Sequence, residues 1–422
     1  MEKGEMKTAG RVVLAVILAL CVSLCCAPVF AGNKAGSSAS FSAITVPPVL
    51  HLTGISTISL PASVGKDGID GVVVEHNGQF MPVAISVKGN DLSIAPSGGF
   101  AGGETYDIKI FTKTGKRYLI QARTEAFYNL DTTHEDTITI PAKPSLGFNY
   151  SYVLFAPANI GKSDERRMLV NCLNTSPSIS EQYLEEQARN QATGNVIGYL
   201  ARTLQSPCIV PAFPRESGQG EYVYAQMLNR EAVQKDKIDK QLVAMIKDAQ
   251  KQLEHNGIQV ADKVFMYGYS TDAKFAQRFT VLHPDLVMAT VAGGIAGTTT
   301  FPMNEYDGET LNYPVGVADI KALTGSDFNK DKFAKVPQFF IMGETDTNDA
   351  TQYRDCFRQQ DADQINRLFG KNQMPDRWNA TQKVLLGVSP IIKCKTYSGI
   401  GHSMSSEMNQ DIVDFYKEHW NQ

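Results

Sequence analysis

Cysteine is scarce in this chain of 422 residues. Of its seven cysteines, Cys21, Cys25 and Cys26 fall in an apolar N-terminal stretch. The other four, Cys172, Cys208, Cys356 and Cys394, are too few for a disulfide-stapled scaffold. They lie on expected strands and a helix, so free buried thiols are expected. Cys-x-x-Cys and His-Glu-x-x-His are both absent, so no metal site and no metal cofactor are expected. Excess charge of one sign is missing too. Lys and Arg number 40 against 44 Asp and Glu, a net charge of −4, which gives no general attraction for nucleic acid. No long apolar run follows residue 24, so no integral membrane segment is expected after it. A phosphate loop is lacking as well. The glycines of Gly98-Gly99-Phe100-Ala101-Gly102-Gly103 join two strand patterns with no helix following, which excludes a dinucleotide fingerprint.

What is present begins with an exported-protein signature. Lys3, Lys7 and Arg11 precede an apolar run from Val12 to Leu24, and Val29-Phe30-Ala31 supplies small residues at the cleavage positions. Residues 1–31 therefore read as a secretory signal peptide, with a secreted, periplasmic or cell-envelope destination. Each leader cysteine follows Leu or Cys rather than a small residue, which argues against lipidation.

Residues 43–126 read as all β, with alternation at Val83–Lys88 and Tyr106–Phe111 and further short strands at Leu92–Ala95 and Tyr118–Arg123. Residues 127–149 read as a polar connection with one short strand at Thr137–Ile140. From residue 150 to 422 strand and helix patterns alternate, which predicts a mostly parallel sheet with helices on both faces. Expected helices include Ile179–Thr203, Tyr222–Asn256, Ala350–Phe369 and Met404–Trp420. Ligands in such sheets sit outside the carboxyl ends of the strands.

One stretch organises this second region. The strand-like Val264-Phe265-Met266-Tyr267 runs into Gly268-Tyr269-Ser270-Thr271-Asp272, and a helical pattern follows to Leu282. A strand, a tight turn centred on serine, then a helix resembles the nucleophile elbow of α/β-hydrolases. A side chain at Gly268 would crowd the following helix, which explains the glycine. Asp272 departs from the usual Gly-x-Ser-x-Gly. The other reading of Ser270 is a helix-capping serine.

A serine nucleophile needs a base and an acid to orient it. In α/β-hydrolases they follow in the order Ser, Asp or Glu, His. His402 lies in Ser398-Gly399-Ile400-Gly401-His402-Ser403, after an expected strand and before the last helix. The acid comes from Gly343-Glu344-Thr345-Asp346-Thr347-Asn348-Asp349. Asp346 is preferred, with Asp349 next and Glu344 last. Thr271, at the start of the helix, is one expected oxyanion amide. Asn174 or Thr175, after the expected strand Met168–Leu173, supplies the other, with Phe213 as runner-up.

With Leu282-His283-Pro284 after the elbow helix, these residues make residues 150–422 resemble the dienelactone-hydrolase and polyhydroxybutyrate-depolymerase-like group of α/β-hydrolases. The resemblance implies an α/β-hydrolase fold and a cofactor-free serine hydrolase acting on a small-molecule or polymeric ester. A peptidase of the same fold and an inactive binding protein are the alternatives. The run Leu92-Ser93-Ile94-Ala95-Pro96, the glycine-rich turn and Thr105-Tyr106-Asp107-Ile108 resemble bacterial immunoglobulin-like domains. That implies a small β-sandwich which contacts a surface or polymer.

Overall fold

In a computed structural model of the chain, eight strands form one mixed sheet. They are β1 (Asp136–Ile140), β2 (Tyr152–Ala156), β3 (Leu169–Val170), β4 (Cys208–Pro211), β5 (Val264–Tyr269), β6 (Val287–Gly293), β7 (Gln338–Gly343) and β8 (Ile392–Tyr397). Their spatial order is 1-2-4-3-5-6-7-8. β2 is antiparallel to both β1 and β4, and every pairing from β4 to β8 is parallel. This is an α/β fold. The structure describes residues 40–421 apart from 45–48, 53–54, 98, 126, 162–163, 174–179, 195, 215–224 and 354–355. The expected signal peptide, residues 1–31, lies outside the described residues.

Alternation along the strands feeds two cores. Tyr152, Leu154, Val264 and Met266 face a cluster with Leu242, Met245, Ile246 and Ala249 of the helix α3 (Ile238–His255). The elbow helix α4 (Thr271–Leu282) adds Phe275 and Phe279 to the same face. Val153, Phe155, Phe265 and Tyr267 face the other way. They meet α1 (Glu181–Gly194), α2 (Val196–Leu204) and α7 (Ser406–Glu418). A strand's period of two, with apolar residues on both faces, is what a sheet covered by helices on both sides requires.

Several boundaries differ from expectation. The stretch read as one helix from Tyr222 contains, among the described residues, two short helical turns and then α3. Leu228 and Lys237 adopt left-handed backbone at φ 49° and 54°, which interrupts an α-helix. The helix expected from Ala350 starts at Gln359 as α5 (Gln359–Phe369), and α6 (Trp378–Leu386) was not anticipated. Phe301, Tyr306, Tyr313 and Phe328, in the insertion between β6 and β7, are taken up in packing. Phe301 and Tyr306 both lie against Phe369, with ring centroids at 4.3 and 5.0 Å.

Strand β1 matches the short strand expected at Thr137–Ile140, and the rest of the segment read as a connection is anchored in the core. Tyr128 and Leu130 are buried in the core that holds α3. The Tyr128 amide donates to Gln252 Oε1 at 3.0 Å and the Leu130 amide to Asn256 Oδ1 at 2.8 Å. Lys143 Nζ donates to both carboxylate oxygens of buried Asp248 at 2.9 Å, and Tyr152 OH donates to the same group at 2.7 Å. Ala43–Gln422 accordingly form one compact unit.

Within it, the β region keeps a core of its own, including Ile58, Leu92, Ile94, Ile108, Ile110 and Ile120. One sheet has the order Ser56–Ser59, Asp91–Pro96, Val83–Lys88. The other includes Val49–Leu50, Arg117–Thr124, Thr105–Thr112, Ile69–His76 and Gln79–Phe80 in that order. The alternation at Val83–Lys88 does not bury a face, since Ile85 and Val87 are 36% and 43% exposed on an edge strand. Among the described residues no helix is long and apolar enough to cross a membrane.

Candidate active site

The turn between β5 and α4 is built by steric necessity. A Cβ on Gly268 would sit 2.2 Å from the carbonyl oxygen of Asp272 and 2.5 Å from the Ala273 nitrogen, so only glycine lets the helix start so close to the strand. Ser270 takes the strain, with φ 68° and ψ −117°, a region that residues with a side chain rarely occupy. Its amide donates to the Gly293 carbonyl at 2.8 Å, pinning the turn to the end of β6. Although Ser270 stands at the N-cap of α4, its hydroxyl makes no capping hydrogen bond. The capping reading therefore fails, and the strained backbone lifts a hydroxyl that the helix does not use.

The ends of β7 and β8 bring an acid and an imidazole together. A Cβ on Gly343 would lie 2.3 Å from the Gly401 carbonyl oxygen and 2.4 Å from that of Ile400, so the two loops run backbone against backbone. The Thr345 amide donates to the Ile400 carbonyl at 2.9 Å across that contact. Asp346, with its side chain 1% exposed, then places Oδ2 2.8 Å from His402 Nδ1. The imidazole is 29% exposed, and its ring centroid is 5.2 Å from that of Tyr269 beside the serine.

The competing acids are engaged elsewhere. Asp349 pairs with Arg377 Nη2 and accepts from the Thr351 amide and hydroxyl at 2.9 and 2.8 Å. Glu344 accepts from Ser398 Oγ at 2.7 Å and the Gly399 amide at 2.8 Å, bracing the histidine loop from outside. Another histidine–aspartate pair, His283 with Asp239 at 2.9 Å, ties the end of α4 to the first turn of α3.

Thr271, the first of the expected oxyanion amides, is the first residue of α4. Asn174 and Thr175 lie outside the described residues. Phe213 is wholly buried, stacked against Phe275 at 5.9 Å, with its carbonyl accepting from Gln226 Nε2 at 3.0 Å.

Sequence reasoning passed over two groups. Asn348 lies between Asp346 and Asp349. Its Nδ2 is 3.0 Å from His402 Nε2 and 3.5 Å from Ser270 Oγ. Nothing in the pattern of a polar loop singles out this amide. The second group is the network around Asp272. Its Oδ1 accepts from the Tyr269 amide at 2.8 Å and its Oδ2 from Asn171 Nδ2 at 2.6 Å, while Asn171 Oδ1 accepts from Gln191 Nε2. Burial pushes the Asp272 carboxyl up to about 7, against these hydrogen bonds, which pull it down. Asp272 thus holds the elbow from beneath, joining β5, β3 and α1.

Burial likewise raises the thiols of Cys172 and Cys208. Cys172, Cys208, Cys356 and Cys394 are not joined in disulfides. Among the described residues no group of three or more His, Cys, Asp or Glu is placed to hold a metal.

No protein-family model matches the chain, and no curated protein does. Solved structures show distant likenesses. TT1662 from Thermus thermophilus is 14% identical over 68% of this chain and 99% of its own, with a TM-score of 0.38. A thermostable esterase is 12% identical over 87% and 92%, with a TM-score of 0.35. An S-formylglutathione hydrolase from Agrobacterium tumefaciens is 11% identical over 69% and 96%, also at 0.35.

Proposed function

We propose that the chain is an exported serine hydrolase of the α/β-hydrolase fold that cleaves carboxylic esters through an acyl-enzyme on Ser270. One observation carries the reading. Ser270, Asp346 and His402 converge at the carboxyl ends of β5, β7 and β8, with His402 Nδ1 on a buried carboxylate and Ser270 on a strained turn that leaves its hydroxyl uncapped. The strand order 1-2-4-3-5-6-7-8, with β2 alone reversed among its neighbours toward β8, supports the fold assignment.

In this reading Asp346 fixes the ring with its proton on Nδ1. His402 Nε2 takes the Ser270 proton as Oγ bonds to the ester carbonyl carbon. The oxyanion faces the Thr271 amide and, we propose, an amide of Asn174 or Thr175. The tetrahedral species expels the alcohol, which leaves with the proton from Nε2. Water then repeats the sequence, the ring taking its proton, and releases the acid and free Ser270. The steps so written call on no metal or organic cofactor.

The β region is read as an immunoglobulin-like sandwich that contacts a surface or polymer. Its support is the strand arrangement. The first, fifth and fourth strands of Ser56–Pro96 share one sheet, and the remaining strands, with a parallel pairing at Val49–Leu50, form the other.

The test is covalent labelling. A fluorophosphonate should modify Ser270 near neutral pH, and Ser270→Ala should abolish both labelling and hydrolysis of a short acyl ester. Folded wild-type protein that neither labels nor turns over any ester or peptide in a broad panel would return the chain to the binding-protein reading. Turnover of peptides alone would make it a peptidase.

A further inference from the structure

The serine and imidazole make no hydrogen bond to each other; each meets Asn348. The protonation of the ring follows from its far side. Asp346 Oδ2 stands 2.8 Å from Nδ1, and a carboxylate only accepts, so Nδ1 carries a proton. In the neutral ring Nε2 is then a bare lone pair. The Asn348 amide, 3.0 Å away through Nδ2, donates into it. That lone pair is the one a base must offer to Ser270.

We infer that Asn348 is a positioning residue that occupies the lone pair of His402 at rest, and that its amide must turn away before Ser270 can be deprotonated. The inference rests on the serine-hydrolase reading above. The loop is built to hold the amide there. The Asn348 backbone amide donates to Asp346 Oδ1 at 2.9 Å, so the carboxylate that orients the ring also fixes the backbone that carries the amide. Only the side chain of Asn348 is left to move.

An amide suits the place. It donates to the neutral ring, and half a turn about χ2 presents Oδ1, an acceptor for the N–H that Nε2 gains from serine. A carboxylate or an ammonium could serve only one of the two states. Substrate entry supplies the displacement, because Nδ2 is also 3.5 Å from Ser270 Oγ, where the scissile carbonyl must arrive.

The experiment uses the full mature chain with 15N-labelled histidine, comparing wild type with Asn348→Ala and, in case that variant folds poorly, Asn348→Ser. Loss of the donor should move the Nε2 resonance of His402. It should also speed labelling by a small fluorophosphonate by roughly 2- to 10-fold, the factor that one neutral hydrogen bond represents. The gain should fall on the acylation rate with KM little changed. An unmoved Nε2 resonance overturns the inference, as does slower labelling in both variants, which would make the amide a helper of the transition state. Failure of the hydrolase reading looks different: wild type would not label at all, while the Nε2 resonance would still report on the Asn348 contact.

Discussion

The loop after β7 and the first turn of α4 each bury a carboxylate beside the same serine, and they use it in opposite ways. Asp346 is 1% exposed and turns one oxygen to an imidazole that reaches solvent. Asp272 is 3% exposed and turns both oxygens inward, to the Tyr269 amide and to Asn171. Burial alone does not distinguish them. What differs is the partner: for Asp346 a ring that, in the proposed mechanism, changes protonation during turnover, and for Asp272 amides that never do. On the proposed mechanism one carboxylate serves the chemistry, while the other holds the shape of the turn. A third, Asp349, sits three residues from Asp346 and is committed to the buried Arg377.

Substitution can break the comparison at each point. Asp346→Asn should have the largest effect on rate. It removes the acceptor that sets the ring's tautomer, and kcat for an activated ester should fall by about 10³–10⁴-fold while the folded protein persists. Equal kcat for the variant and wild type would remove Asp346 from the proposed triad. Asp349→Asn should do the reverse. Arg377 has a wholly buried side chain and would lose its charged partner, which should cost about 2–3 kcal/mol in a urea titration, because Asp349 itself is 26% exposed. Turnover per folded molecule should hold. Loss of activity without loss of stability would make Asp349 the acid after all.

Asp272→Asn should give the smallest and most pH-dependent change. An amide there keeps the acceptor for Tyr269 but sets one NH2 against that of Asn171, whose own oxygen is already committed to Gln191. The wild-type carboxyl, held near 7 in the fold, ionises near 3.9 in an unfolded chain. Its folded value is the raised one. Its contribution to stability is therefore full below about pH 4 and is lost as pH rises through about 7. The deficit of Asp272→Asn relative to wild type should be widest at about pH 4 and narrow by pH 8. A deficit independent of pH would mean that the buried carboxyl does not titrate in that window.

Much of this site could be read in advance where covalent geometry or sterics act on one residue. Gly268 is demanded by the backbone of Asp272 and Ala273, whatever the rest of the chain does. The apolar alternation of β5 and the spacing of Leu242, Met245, Ile246 and Ala249 likewise carry their burial in their order. Other elements were harder. The strand at Thr137–Ile140 was legible, but the anchoring of Tyr128 and Leu130 beside it was not, because it rests on Gln252 and Asn256, more than 120 residues along the chain. The pattern from Tyr222 to Asn256 is helical in composition, yet two left-handed residues break it. Nothing in the residues themselves requires those breaks.

By itself the sequence determined the elbow, the alternation of strand and helix, and the candidates Ser270, Asp346 and His402. Each of those follows from a residue type and its near neighbours. Only the tertiary structure shows which of Glu344, Asp346 and Asp349 meets His402, because that depends on which carboxylate the β7 loop turns toward the imidazole. It alone gave Asp272 its role, since Asn171 lies 101 residues away along the chain. It alone brought Asn348 onto His402 Nε2, across 54 residues. A hydrogen bond needs two groups within about 3 Å, and separations along the chain do not specify distances in space until the sheet has set the register of its loops.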